Sequence, residues 1–263
     1  MLDYNYLKEK LNTKQIGRSF IQFESLQSTA KKARVIASHS PNGMVVCADN
    51  QWENKTKRDK AWFSPQGGLY ISIILGFDVK KDYSCLLTLL GGTAICDTLR
   101  EMGVTSILKW PNDIMINDKK IGAIFVDSVT NDDVVKYILS INLNISIDRE
   151  LLFNNLDNPF ISLEEIYNSE IVIEDMLASL LNHVDSLIEE CFEGKNCGKI
   201  FEPWEDYIRQ FNNYVRLRKY GNKKWIEATI IGFNNSGELG FIQSIGSPDI
   251  IDPKKYEVTM IKE

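Results

Sequence analysis

Residues 109 to 127 read Lys109-Trp110-Pro111-Asn112-Asp113-Ile-Met-Ile-Asn117-Asp118-Lys119-Lys120-Ile-Gly122-Ala123-Ile-Phe-Val-Asp127. They set a cation, a carboxamide and a carboxylate close together, with further cations at Lys119 and Lys120. Ammonium groups neutralise anionic oxygens, and carboxylate or amide oxygens suit a hard cation. Such a set is better placed to hold a small polar ligand than to fill a core. The rest of the chain offers few rivals. With only His39 and His183 present, His-based triads and multi-His metal sites have little material. Cys47, Cys85, Cys96, Cys191 and Cys197 are odd in number and lack C-x-x-C spacing, so reduced thiols are expected rather than zinc ligation or a disulfide framework. The chemistry must rest on Lys, Asn, Asp and the backbone.

The elements that would position these groups follow from the apolar pattern. Ile114 to Ile116 and Ile121 to Val126 flank a polar Asn117–Lys120 turn, which reads as a β-hairpin. Pro111 cannot donate to a ladder, so Trp110-Pro111 belongs at the mouth of the first strand. Upstream, a strand from Phe20 to Glu24 leads to a helix over Ala30–Ala37 with Ser28 or Thr29 as its N-cap. Gly43–Ala48 and Gly68–Leu75 read as apolar strands, separated by the charged stretch Asp49–Gln66. Apolar residues at 86, 87, 90, 94, 95 and 99 give Ser84–Met102 a helical period, with Gly91-Gly92 suited to close packing. Val135–Ile147 returns to strand and Glu174–Cys191 is a second amphipathic helix. After residue 212 come short strands between Gly, Asn, Ser and Pro turns, including a hairpin turn at Asn234–Gly237. The expectation is an α+β fold, a mixed sheet with flanking helices over residues 1–212, followed by a small SH3-like β-barrel over 213–263.

Composition bounds the setting. At 263 residues, 44% hydrophobic and 10% aromatic, the chain can bury a substantial core. Thirty basic against 36 acidic residues give a net charge of -6, which disfavours a general nucleic-acid surface. The N-terminal residues have no signal-peptide core, and no apolar run approaches the ~20 residues that span a bilayer. No membrane partner and a cytoplasmic location are therefore expected.

Lys109-Trp-Pro-Asn-Asp113 followed by Lys120-Ile-Gly-Ala-Ile124 at this spacing resembles the biotin–protein ligase family. Further stretches extend the resemblance over most of the chain: Phe23–Ala30, Trp62–Ile73, Phe160–Glu164 and Trp204–Tyr207. It implies a biotin/lipoate ligase-like catalytic domain and an ATP-dependent, two-step acyl transfer. Biotin carboxylate attacks the α-phosphorus of ATP, and a lysine of a biotin carboxyl carrier protein then attacks biotinyl-AMP. Both steps bring anions together, so cations, amide donors and Mg²⁺ would assist. Lys120 matches the lysine between carboxylate and α-phosphate, the catalytic cation. Ser28, Thr29, Gln51, Lys55 and Ala123 match the biotin side. Lys57, Lys60, Asn112, Asp113 and Asn144 match the ATP side, with Asp113 also a Mg²⁺ ligand. Phe160 aligns near the adenine, while Lys109 and Trp110 suit packing under the site. Some members carry an N-terminal helix-turn-helix; few residues precede Phe20, so DNA binding is not implied. A homodimer stays open.

The chain also departs from the family. Asn54-Lys-Thr-Lys-Arg-Asp-Lys60 stands where members have a glycine- and arginine-rich loop, so bidentate phosphate contacts give way to point charges. Ala123 replaces a glycine, and Ser140-Ile-Asn142-Leu-Asn144 replaces a Gly-x-Gly-x-Asn strand. Side chains at these positions would reshape the acid pocket. Two alternatives accompany the biotin ligase reading: a ligase for a different carboxylic acid, and a non-catalytic ligand-binding relative.

Overall fold

Apolar, β-branched runs between short turns build one large sheet. The structure, a computed structural model, describes residues 1–53, 64–77, 82–131, 134–151, 159–194, 196–209, 212–244, 246–253 and 255–261. The large sheet contains β1 (Phe20–Leu26), β2 (Met44–Gln51), β3 (Gly68–Phe77), β4 (Ile107–Lys109), β5 (Asp113–Ile116), β6 (Lys119–Asn131) and β7 (Val134–Asn144). Their order is β1-β2-β3-β7-β6-β5-β4. β1 pairs parallel with β2, and the other neighbours are antiparallel. The helices are α1 (Tyr4–Lys10), α2 (Thr29–Ile36), α3 (Ser84–Glu101), α4 (Ile173–Ile188) and α5 (Gly198–Arg209). This is the mixed sheet with flanking helices expected of the α+β class.

Period-two alternation gives the sheet two different faces. Ile71, Ile73 and Leu75 of β3 and Leu139, Ile141 and Leu143 of β7 enter the main core with α3 and α4. Burying each such side chain is worth roughly 1.5–3 kcal/mol, against ~0–1 kcal/mol for an exposed ion pair, so this layer dominates stability. Gly91-Gly92 acts as expected: a Cβ on Gly92 would lie 2.5 Å from Trp204 Cζ2, and one on Gly91 would lie 3.0 Å from Leu139. The second face has a smaller apolar patch of Ala33, Ala37, Val46, Ile74 and Ile138 beneath α2. Arg34 of α2 reaches across it to Asp127 of β6 at 2.5 Å.

The C-terminal strands β8 (Tyr214–Lys219), β9 (Ile226–Phe233), β10 (Leu239–Ile242), β11 (Asp249–Ile251) and β12 (Tyr256–Met260) form a separate antiparallel sheet, ordered β11-β10-β9-β8-β12. The Asn234–Gly237 turn between β9 and β10 sits on the start of α3, where a Cβ on Gly237 would meet Leu86 Cα at 2.6 Å. Phe201 of α5 stacks on Phe233 of β9 with ring centroids 5.7 Å apart.

Three expectations need correction. The β5–β6 turn is only Asn117-Asp118, both at positive φ, so Lys119 belongs to the return strand together with Lys120, which is expected at that strand's start. That is the two-residue geometry whose twist matches paired strands. Cys191 and Cys197 form a disulfide despite the expectation of reduced thiols. A π turn at Glu189–Glu193 ends α4, and the short connection from it to α5 brings their Cα atoms to 4.6 Å. Trp204–Tyr207, given no element from sequence, lie in α5, which continues through Pro203.

Candidate active site

One row of residues crosses the large sheet on the α2 face. Backbone pairing runs Lys109–Asp113–Ala123–Asn142–Tyr70–Ala48–Phe23. Directly paired residues point the same way, so Asp113, Ala123 and Asn142 share this face. Lys120 joins them through a register shift. Ile114 pairs with Gly122 but Met115 pairs with Lys120, leaving Ile121 as the extra residue of a bulge. Without the bulge, strict alternation would turn Lys120 into the core; with it, Ile121 is the one buried there. Lys120 Nζ donates to Asp113 Oδ1 at 2.5 Å, and the two side chains are only 18% and 28% exposed.

The backbone around Lys120 is held on a second side. Lys120 N donates to Pro159 O at 2.9 Å and Ile161 N donates to Lys120 O at 3.1 Å, pairing Lys120 with Phe160. Asn144, at the end of β7, donates from Nδ2 to Ile161 O at 3.3 Å. That carbonyl can only accept, which fixes the amide orientation and leaves Oδ1 on the other side of the amide. Asn144 is 1% exposed, and its Oδ1 is the one buried side-chain atom without a hydrogen-bond partner among the described residues. An orphaned buried acceptor costs ~1–3 kcal/mol, so a ligand donor is its natural complement.

The other sequence-picked residues divide into three groups. Asn112 Nδ2 donates to Ile124 O at 2.8 Å, and Ile124 N donates back to Asn112 O at 3.0 Å, so Asn112 pins the β4–β5 connection onto β6 beside Asp113. Trp110 is buried in the main core and Lys109 is exposed. Ser28 caps α2 by accepting from Lys31 N at 3.4 Å. Thr29 and Gln51 lie together at the polar end of the α2 face, with Thr29 N donating to Gln51 Oε1 at 2.8 Å. Lys55, Lys57 and Lys60 lie outside the described residues.

Sequence reasoning missed several groups here. Ser64 and Ser72 have no assigned role in the sequence reading, and Ser140 and Asn142 enter it only as side chains that reshape the acid pocket; all four join Thr29 and Gln51 in one buried hydrogen-bonded cluster. The available signal was polar residues recurring at every second position of apolar strands: Ser72 in β3, and Ser140, Asn142 and Asn144 in β7. Tyr207 was also missed. Burial, followed by the charges of Asp113 and Asp118, raises its phenol pKa, and α5 packs against β4, the strand paired with Asp113. α5 is anchored there by Trp204, whose indole donates to Leu89 O at 3.0 Å.

The face therefore has two ends. A cation–carboxylate pair with an orphaned amide acceptor occupies one, and a neutral donor–acceptor cluster occupies the other. Strands spaced by about 4.8 Å put β6 and β2 roughly 14 Å apart, enough for an elongated acid lying across the strands. Among the described residues no cluster of three His, Cys, Asp or Glu side chains could hold a metal.

Comparisons with known proteins bear on the family and the fold. The model of the biotin/lipoate A/B protein ligase family matches residues 20–145. The bifunctional ligase/repressor BirA of Bacillus subtilis (strain 168) is 34% identical over 240 residues, covering 87% of this chain and 71% of that protein. The Escherichia coli (strain K12) protein of the same name is 25% identical over 221 residues, covering 79% and 66%. The structure of biotin protein ligase from Aquifex aeolicus in complex with biotin and ATP shares the fold, with a TM-score of 0.70 at 21% identity over 93% of this chain and 100% of that one. On these grounds the chain belongs to the biotin–protein ligase family.

Proposed function

We propose that this chain is an ATP-dependent biotin–protein ligase, which forms biotinyl-AMP and transfers biotin to a lysine of a carboxyl carrier protein. The observation that carries this reading is Lys120, turned by a bulge onto the ligand face and held there by Asp113. An ammonium at that point can sit between the incoming carboxylate and the α-phosphate, where two anions would otherwise repel. Asp113 orients it before ligands arrive. The carboxylate oxygen attacks phosphorus, the bond to the bridging oxygen breaks, and pyrophosphate leaves with the electron pair. No covalent enzyme intermediate is required. In the second step the neutral amine of the carrier lysine attacks the anhydride carbonyl, and AMP leaves.

Asn144 supports the nucleotide side. Its buried Oδ1 needs a donor, and in ATP the donors are the exocyclic amino group and the ribose hydroxyls. Mg²⁺ fits this site as a companion of ATP rather than as a resident ion. Asp113 is a single carboxylate already engaged by Lys120, so phosphate oxygens and water would supply most ligands. When bound, the ion would neutralise phosphate charge.

Pyrophosphate exchange into ATP by the purified protein tests the reading. Exchange that requires biotin, followed by labelling of a carrier domain, is the expected result. No exchange with biotin or with any other carboxylic acid would refute it.

A further inference from the structure

The cluster at the neutral end of the face has a hydrogen-bond polarity that can be read link by link. It begins at a group with no choice. Thr29 N is a backbone donor, so the atom it meets at 2.8 Å must be Gln51 Oε1 rather than Nε2. Thr29 Oγ1 also donates to Oε1, at 3.1 Å, which uses its one proton. Thr29 Oγ1 can then only accept from Ser72 Oγ, 2.9 Å away, and the Ser72 proton is used in turn. Ser140 Oγ, 2.8 Å from Ser72 Oγ, must therefore donate to it. Ser140 keeps lone pairs and no proton.

The other direction is as constrained. With Oε1 against Thr29, Gln51 Nε2 donates to Ser64 Oγ at 3.2 Å and to Asn142 Oδ1 at 3.4 Å. Asn142 thus turns its oxygen toward Gln51 and its Nδ2 away. That Nδ2 has no partner among the described residues, although Asn142 is only 8% exposed. One directed chain links all six side chains, and it ends in an amide donor at Asn142 and a hydroxyl acceptor at Ser140. Both residues lie on β7, two positions apart, on the face shared with Ala123 and Lys120.

We infer that Asn142 and Ser140 are specificity-determining residues that read the head group of the acid. The Asn142 Nδ2 donates to a carbonyl oxygen and the Ser140 Oγ accepts from an adjacent N–H, which selects a cyclic urea or lactam over an apolar head. This deepens the proposed function and rests on it. A rigidly oriented donor rejects a ligand that presents another donor, because both would be left unpaired.

The test uses biotin and 2-iminobiotin, in which the ureido carbonyl is replaced by a protonated imine donor. Wild-type protein should favour biotin strongly in acid-dependent pyrophosphate exchange. Asn142→Asp keeps an acceptor toward Gln51 and replaces the outward donor with an acceptor. The kcat/KM ratio of biotin to 2-iminobiotin should then fall by roughly tenfold or more, with KM for ATP within about twofold. Asn142→Ala should raise KM for biotin about tenfold with a smaller change in kcat, since a ground-state contact is lost. An unchanged acid ratio in Asn142→Asp, or a lower biotin KM in Asn142→Ala, would overturn the inference while leaving the ligase reading intact. Wild-type protein that supports no biotin-dependent exchange would refute both.

Discussion

Replacing Lys120 alone should harm the enzyme more than replacing Lys120 and Asp113 together. In the structure the ammonium and carboxylate meet at 2.5 Å in a part-buried position. Lys120→Ala removes the cation that faces two ligand anions and also leaves Asp113 uncompensated against them. Unit charges about 4 Å apart interact by about 4 kcal/mol at an effective dielectric near 20. Truncating one member of a desolvated pair costs about 2–5 kcal/mol, much of it from the orphaned partner. A loss of 3–4 kcal/mol corresponds to a kcat/KM reduced roughly 10²- to 10³-fold. Adding Asp113→Asn removes the orphaned charge and should return roughly ten- to a hundredfold of that loss. Biotin-dependent pyrophosphate exchange, measured for the wild type, both single variants and the double variant, closes the cycle. If the double variant instead loses the product of the two single effects, Asp113 acts independently of Lys120, for example by binding Mg²⁺, and the positioning argument is wrong.

Other consequences can be checked separately. Asn144→Leu removes the orphaned acceptor together with the amide that donates to Ile161 O, so the two effects on stability oppose each other and unfolding stability should change by less than about 1 kcal/mol while KM for ATP rises about tenfold; a loss of several kcal/mol with KM unchanged would contradict a ligand role. Gly92→Ala should destabilise by roughly 1–3 kcal/mol, because its methyl would press on Trp204 from 2.5 Å, and thermal melting would show a drop of several degrees. Reducing the Cys191–Cys197 bond, whose partners are six positions apart, should lower stability by about 2 kcal/mol through restored freedom of the unfolded chain. A denaturant midpoint that ignores reductant would mean that the bond contributes nothing to the folded state.

The fold was legible wherever local pattern determines local structure. The helical period of Ser84–Glu101, the alternation of β3 and β7, and the two-sheet layout all follow from apolar spacing and turn residues. The Lys109–Asp113 segment and Lys120 were visible as chemistry, but their convergence was not. It depends on the bulge at Ile121, which no local propensity announces. Asn112 reads as a ligand group, and its Nδ2 also holds β6, a role that a strand-mouth carboxamide does not announce in sequence. Tyr207 was hidden because Pro203 argues against the helix that carries it, and the packing of Trp204 against α3 outweighs that local preference. The disulfide escaped notice because six-residue spacing has no meaning until the π turn and the connection after it bring the two cysteines together.

The two-faced sheet also bears on how such a pocket can diverge. Every second residue of β3 and β7 answers to the hydrophobic core and the residues between answer to the ligand, so positions 72, 140 and 142 can be rewritten without repacking Ile71, Ile73, Leu139 or Ile141. Point substitution can therefore explore acid selectivity without disturbing the apolar core, provided each change leaves the buried hydrogen-bond partners of the cluster satisfied. Insertion or deletion of one residue within either strand would exchange the two roles at once. Evolution of substrate choice on this scaffold should proceed by side-chain replacement within fixed strand lengths, with length variation confined to the loops at the edge of the face.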